Sequence, residues 1–225
     1  MAAPQRGTIP SVSQDTSRPY FTQRVKLNSL HAQQVFNRGY DLCANAIFSL
    51  SIVLRVIGSD EQAQEIEGVV DERINKQFED LRAESARLDK VAEANGIEFS
   101  GIDYSSPKDV EARITSPRAV RYIGLIREFD ALVAKFDTLW LSGVIPDGNY
   151  SRSVYEWKRR LLRLAGGIRA IASQAMIVAR KKEQQAAASA VDAVENSNTG
   201  ELAVVDTLNE VVDSGPNMQP APAVA

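Results

Sequence analysis

The chain has 225 residues, of which 44% are hydrophobic and 24% charged, as in a soluble protein with one large or two small domains. With one cysteine, Cys43, and one histidine, His31, it cannot by itself build an intrachain disulfide or a zinc cage of Cys and His. A lone thiol fits a reducing compartment, and the first residues lack the apolar core of a secretory signal, so we expect a cytoplasmic protein.

The net charge of −3 hides a segmented distribution of charged residues. Residues 1–58 carry +4, residues 59–116 carry −8, residues 117–182 carry +8 and residues 183–225 carry −7. The overall balance therefore does not exclude an anionic partner, because a phosphate responds to the local potential. For any single block, solvated helix faces are the simpler explanation.

The amino-terminal part predicts a disordered arm followed by one strand. Residues 1–18 are rich in Pro, Ser, Gln, Gly and Thr and carry too little apolar surface to fold. From Tyr20 to Asn28, apolar and polar residues alternate as in a half-buried strand, with Thr22, Arg24 and Lys26 on the polar side. Such a strand must pair with a second one, in this chain or in another copy.

Two helices are predicted after this strand. Ser29 can cap a short helix that Gly39 ends, and a second, very apolar helix runs from Tyr40 to Ile57 and stops at Gly58. The second helix is too short and too polar to span a bilayer, so we expect it in a core or a dimer seam, with no membrane partner.

The middle of the chain, residues 59–182, predicts a helical module. A long helix from Asp60 to Asn95 is closed by Gly96, and a loop or small hairpin follows up to Ser116. Pro117 then opens another helix.

The last predicted helix makes a helical hairpin with the one before it. The hairpin turn falls at residues 143–149, and Ser153 with Glu156 forms an S-x-x-E capping box for a helix that ends near Lys182. Residues 183–225 contain no basic residue and predict an acidic, mostly disordered tail.

The sequence contains no motif that indicates an enzyme. A phosphate loop, a dinucleotide-binding fingerprint, a nucleophile elbow and a helical metal-binding pair are all missing from it. We therefore expect no catalytic residues, no metal site and no cofactor, and interpret His31 as an ordinary helix residue and Cys43 as core.

The order of strand, short helix and apolar helix over residues 19–58 is that of a ribbon-helix-helix DNA-binding domain. In that class, two copies pair their strands into a ribbon that enters the major groove. Thr22, Arg24 and Lys26 would then face the bases. Arg and Lys can bind guanine acceptors, and Thr can donate a hydrogen bond or contact a thymine methyl group. An edge strand kept soluble by its basic residues is the simpler alternative.

A second basic element lies at the start of the last helix. Its cations, which could add nonspecific phosphate contacts, are Lys158, Arg159, Arg160 and Arg163. Tyr150, Tyr155 and Trp157 beside them could instead stack on single-stranded bases, although the spacing of Trp157 with the leucines that follow favours a core position.

Three segments resemble a known family. They are AQQVFNRG at residues 32–39, TSPRAVRYIGLIREFDALV at residues 115–133 and LWLSGVI at residues 139–145. Together with the strand and the tryptophan-bearing basic helix, they resemble the integrating conjugative element proteins related to the AcaB transcriptional regulators. The resemblance spans residues 20–182 and implies a regulatory or accessory protein of a mobile element that binds DNA as a dimer.

The sequence thus predicts a mainly α fold with an amino-terminal strand, a long middle helix and a carboxy-terminal helical hairpin. The function it favours is a homodimeric regulator of an integrative conjugative element that reads double-stranded DNA. The alternative is a non-enzymatic adaptor of the conjugation machinery, with a protein partner bound by the helices of residues 59–182.

Overall fold

A computed structural model describes residues 19–57, 60–99 and 102–212. The chain divides into two compact units, residues 1–176 and residues 177–225. The predicted division into segments 19–58 and 59–182 stays a prediction. The predicted amino-terminal arm and Gly58 lie outside the described residues.

The described residues form a mainly helical fold with one small sheet, as predicted. The elements in chain order are β1 (Phe21–Leu27), α1 (Leu30–Val35), a π-helix (Phe36–Tyr40), α2 (Asp41–Ile57), α3 (Asp60–Ala94), β2 (Lys108–Ile114), α4 (Pro117–Leu141) and α5 (Asp147–Val212).

The partner of β1 is a strand of the same chain. β1 pairs antiparallel with β2 in a two-stranded sheet, with Phe21 opposite Ile114 and Leu27 opposite Lys108. The prediction that a second copy supplies this partner is therefore wrong. In β2, Val110, Ala112 and Ile114 alternate with charged residues, so the strand also presents one apolar side.

Most of the predicted helix boundaries are confirmed. The Ser29 and Ser116 side chains accept backbone hydrogen bonds from Ala32 and Ala119, as N-caps do. At the end of α3, Gly96 has a positive φ of 65°, a conformation that glycine adopts without strain.

The prediction that Gly39 ends the first helix is wrong. The backbone passes through the π-helix directly into α2, and Gly39 lies inside that π-helix. A Cβ at this position would lie 2.8 Å from the hydroxyl of Tyr122 and 3.3 Å from Cδ2 of Leu162. Glycine is present because α4 and α5 pack closely against this turn, not because the helix stops.

The last helix is longer at both ends than the sequence predicts. It begins at Asp147, so Ser153 and Glu156 lie within the helix and do not form a capping box. It continues beyond Lys182 to Val212. Alanine, glutamine and glutamate are abundant just after Lys182 and have high helix propensity.

Helix α4 is the central element of the first unit. Its buried residues pack with β1, β2, α1, α2 and the start of α5 in one apolar cluster. They are Ala119, Tyr122, Ile123, Leu125, Ile126, Phe129, Leu132, Val133, Phe136 and Leu139. Cys43 and Trp157 belong to the same core, as predicted.

Charged residues join α3 to α4. Arg118 and Arg121 both bond to Asp71, at 2.7 and 2.8 Å, and Lys135 bonds to Asp89 at 2.5 Å. These contacts pair part of the acidic block with part of the basic block that follows it in sequence.

The start of α5 is held by a pair of partly buried hydrogen bonds. The hydroxyls of Tyr104 and Tyr150 each donate to one oxygen of Asp137, at 2.6 Å. Burial, and then this hydrogen bond, raises the pKa of both phenols above the usual value.

Among the residues that the structure describes, one helical segment is long and apolar enough to cross a bilayer. It lies within Asp147–Lys182 and has a mean hydropathy of 1.3. The same segment supplies Leu161, Ala165 and Ile168 to the protein core, and core helices of soluble proteins meet the same criterion.

Candidate nucleic-acid interface

The two strands place six polar side chains on one exposed face, which we call the ribbon face. β1 contributes Thr22, Arg24 and Lys26, and β2 contributes Asp109, Glu111 and Arg113. The register sets Thr22 opposite Arg113, Arg24 opposite Glu111 and Lys26 opposite Asp109. The three residues predicted from the sequence therefore lie together on the exposed side of the sheet.

The orientation of the ribbon face follows from the opposite side of the sheet. There Val25, Leu27, Ala112 and Ile114 are buried against the helices. Because successive side chains of a strand alternate between faces, their burial directs the six polar residues outward.

Arg24 is paired within the ribbon face but remains accessible. Its Nε lies 3.1 Å from Oε1 of Glu111, and the two side chains are 81% and 59% exposed. An exposed ion pair of this kind contributes about 0 to 1 kcal/mol. Exchange of Glu111 for another acceptor therefore costs little.

The end of β1 is anchored to α4 through a buried carboxylate. Asp130 accepts hydrogen bonds from the backbone of Asn28 and Ser29, both at 2.8 Å, and from the Ser29 hydroxyl at 2.6 Å. The amide of Gln33 donates to the carbonyl oxygens of Leu27, at 3.2 Å, and of Ser106, at 3.0 Å. These bonds fix both strands to the helices at this end.

The opposite end of the sheet is tied to the π-helix. The hydroxyl of Tyr40 donates to the carbonyl oxygen of Arg113 at 3.0 Å. The Arg113 guanidinium lies over the ring of Tyr20, 5.5 Å from its centroid. The ribbon face is thus supported at both ends by the helical layer.

The basic residues predicted on the last helix are separated by the structure. Lys158, Arg159 and Arg163 line a cleft of about 580 Å³ together with Arg38 of the π-helix. Arg160 lies instead over the ring of the buried Trp157, 4.8 Å from its centroid. The burial of Trp157 excludes it as an exposed stacking platform.

His31 and Cys43 lie away from the ribbon face. Burial, and next the charge of Lys158, lowers the pKa of His31. Burial raises the pKa of the Cys43 thiol to about 12, so this cysteine is unreactive near neutral pH. Within the described residues, no group of three His, Cys, Asp or Glu side chains is placed to hold a metal ion.

The sequence did not reveal four residues of these surfaces: Asp109, Glu111, Arg113 and Arg38. The alternation of Val110, Ala112 and Ile114 with charged residues is the signal that indicates a strand and so the position of the first three. This signal is weak because the segment is short, rich in charge and follows a loop. Arg38 carries no local signal, because the cleft forms only when the π-helix and α5 meet.

A comparison with solved structures finds a clear relative. The search of protein-family models and the search of curated proteins give no match. The crystal structure of selenomethionine-containing AcaB from uropathogenic E. coli is similar to this chain with a TM-score of 0.72 and 38% sequence identity. The similarity covers 76% of this chain and 88% of that one. At this identity and coverage, the chain belongs to the family of AcaB.

Proposed function

We propose that this protein is a transcriptional regulator that binds duplex DNA with the ribbon face. The observation that carries the proposal is an exposed two-stranded antiparallel ribbon with Thr22, Arg24, Lys26 and Arg113 on its outer side. A ribbon of this width fits the major groove, where base edges carry a distinct pattern of donors and acceptors.

A single chain supplies the whole ribbon. The order strand, helix, helix occurs twice, once as β1, α1 and α2 and once as β2, α4 and α5. The two strands of these halves pair antiparallel, as the strands of two copies do in a ribbon-helix-helix dimer. A homodimer stays a prediction, but the ribbon does not need a second copy to be complete.

The side chains of the ribbon face suit base recognition rather than general attraction to phosphate. Arg24 can bind the O6 and N7 atoms of guanine with two hydrogen bonds, and Lys26 can reach the same acceptors. Glu111 and Asp109 can accept from the amino group of cytosine and repel misplaced phosphates. The mixture of signs therefore favours selectivity over nonspecific affinity.

The family supports the same function. Membership of the AcaB family agrees with the sequence resemblance to AcaB-related transcriptional regulators of integrating conjugative elements. On that basis, we propose that the DNA sites lie in a mobile element and control its transfer genes, from within the cytoplasm.

The test is to select the genomic DNA fragments that the protein binds at physiological salt. The wild-type protein is compared with the ribbon variant, which combines Arg24→Ala and Lys26→Ala. Both substituted side chains are exposed, so the folded structure and its melting temperature should be retained. Removal of a base contact costs about 1 to 3 kcal/mol of discrimination, so the double variant should no longer select its preferred fragments.

A matched control is Lys90→Ala with Arg127→Ala, which removes two exposed cations from α3 and α4. It should select the same fragments as the wild type. Unchanged selection by the ribbon variant would contradict the proposal. Wild-type protein with no preferred DNA would favour the adaptor function.

A further inference from the structure

We propose that the basic cleft between the π-helix and α5 clamps the phosphate backbone of the DNA that the ribbon face reads. This inference rests on the proposed function. The cleft has a volume of about 580 Å³ and is lined by Arg38, Tyr155, Lys158, Arg159, Leu162, Arg163 and Gly166.

The charge of the cleft favours an anionic partner. Of the described residues that line it, four are cationic and none is acidic. The carbonyl oxygen of the Gln34 side chain, a neutral group, accepts a hydrogen bond from Lys158 at 3.1 Å. Like charges gathered in one cleft repel each other, and a bound anion removes that repulsion.

The α4 part of the basic block is already paired with carboxylates. Net charge is +1 over Pro117–Leu141 but +7 over Asp147–Lys182. On α4, Arg118, Arg121 and Lys135 bond to carboxylates of α3. The excess positive charge therefore belongs to α5, and three cations of that helix meet Arg38 at the cleft.

The π-helix that lines the cleft also holds the end of the ribbon. Tyr40, whose hydroxyl holds the carbonyl oxygen of Arg113 at 3.0 Å, is preceded by Gly39 in the π-helix. A Cβ on Gly39 would lie 3.3 Å from Leu162, which lines the cleft. The π-helix thus contacts the end of β2 and also forms one wall of the cleft.

The arrangement fits a strand of phosphates better than a single anion. Arg159 and Arg163 lie one helical turn apart, about 6 Å along α5, and Arg38 faces them from another element. Such a row contacts more than one phosphate without reading bases. Tyr155 is 57% exposed at the rim and adds a donor for a phosphate oxygen.

The test uses a double variant of the cleft, Arg159→Gln combined with Arg163→Gln. Its control is the single variant Arg160→Gln. Arg160 is on the same helix and equally basic, but it lies over Trp157 and does not line the cleft. Binding to the preferred fragment and to a scrambled duplex of equal length is measured by fluorescence anisotropy over a range of salt concentrations.

The cleft variant should weaken binding to both duplexes by the same factor and leave the ratio between them unchanged. The slope of log affinity against log salt concentration should fall by about 2, because each removed arginine leaves one phosphate without its cation. The Arg160→Gln control should keep the wild-type slope.

Unchanged affinity and slope in the cleft variant would overturn this inference, while loss of selection in the ribbon variant would still support the proposed function. If the wild type shows no preferred DNA but its salt slope depends on Arg159 and Arg163, the cleft binds phosphates and the proposed function fails. A change in sequence preference from the cleft variant would also overturn the inference, because a backbone clamp carries no base information.

Discussion

Gly39 is the residue at which three helical elements meet. It is buried in the π-helix, and the space for a side chain is already taken by Tyr122 and Leu162. The Tyr122 hydroxyl cannot move away freely, because it is fully buried and donates to the carbonyl oxygen of Leu161 at 3.2 Å. Close packing here positions the ribbon end relative to α5.

We therefore expect Gly39→Ala to lower the free energy of unfolding by about 1 to 3 kcal/mol through overpacking. Urea denaturation measures this. Gly124→Ala is the matched control, since its Cβ would meet Phe78 at an ordinary 3.5 Å, and helix propensity should keep it neutral or slightly stabilising.

The cause is checked by adding Tyr122→Phe, which removes the oxygen that the new methyl group meets. The double variant should be less destabilised than the sum of the two single changes. Strict additivity would show that the hydroxyl is not the obstacle.

At the scale of elements, the ribbon shows what local sequence patterns can and cannot predict. The outward side of β1 followed directly from the alternation of Val25 and Leu27 with Arg24 and Lys26. Its pairing with β2 joins residues 87 positions apart, and no local periodicity encodes such a contact. The sequence therefore predicted half of the ribbon face and assigned the other half to a second copy.

The helix ends show the same difference between local signals and long-range contacts. Ser29, Ser116 and Gly96 act within one turn of the chain, so capping rules located them correctly. Gly39 was misread because its role depends on α4 and α5, which pack there only in the folded protein.

A disulfide between Thr22→Cys and Arg113→Cys tests the pairing of the strands. These positions are register partners, and opposite residues of an antiparallel pair lie at a Cα separation that a disulfide can bridge. Oxidised protein should run as a monomer on a non-reducing gel. Gln23→Cys with Arg113→Cys, on opposite faces of the sheet, should not form this bond. A covalent dimer from the first variant would contradict the intrachain ribbon.

Within the first unit, cations are paired with carboxylates in one region, and positive charge is in excess in another. Acidic α3 neutralises cations of α4, whereas three cations of α5 meet Arg38 at the cleft. The ribbon face itself carries both signs. In the function we propose, the sheet would supply selectivity and the cleft would supply salt-dependent affinity.

The most direct test of the central claim, that the ribbon face enters the major groove, is affinity cleavage of a preferred DNA fragment by protein with an iron chelate attached at Thr22→Cys. The native Cys43 does not compete for the label, because burial raises the pKa of its thiol to about 12. The same chelate at Asp103→Cys, an exposed loop position, is the control. We predict strand breaks confined to one major-groove segment for position 22 and none there for position 103; cleavage at position 22 that is absent or spread evenly along the fragment would contradict the account.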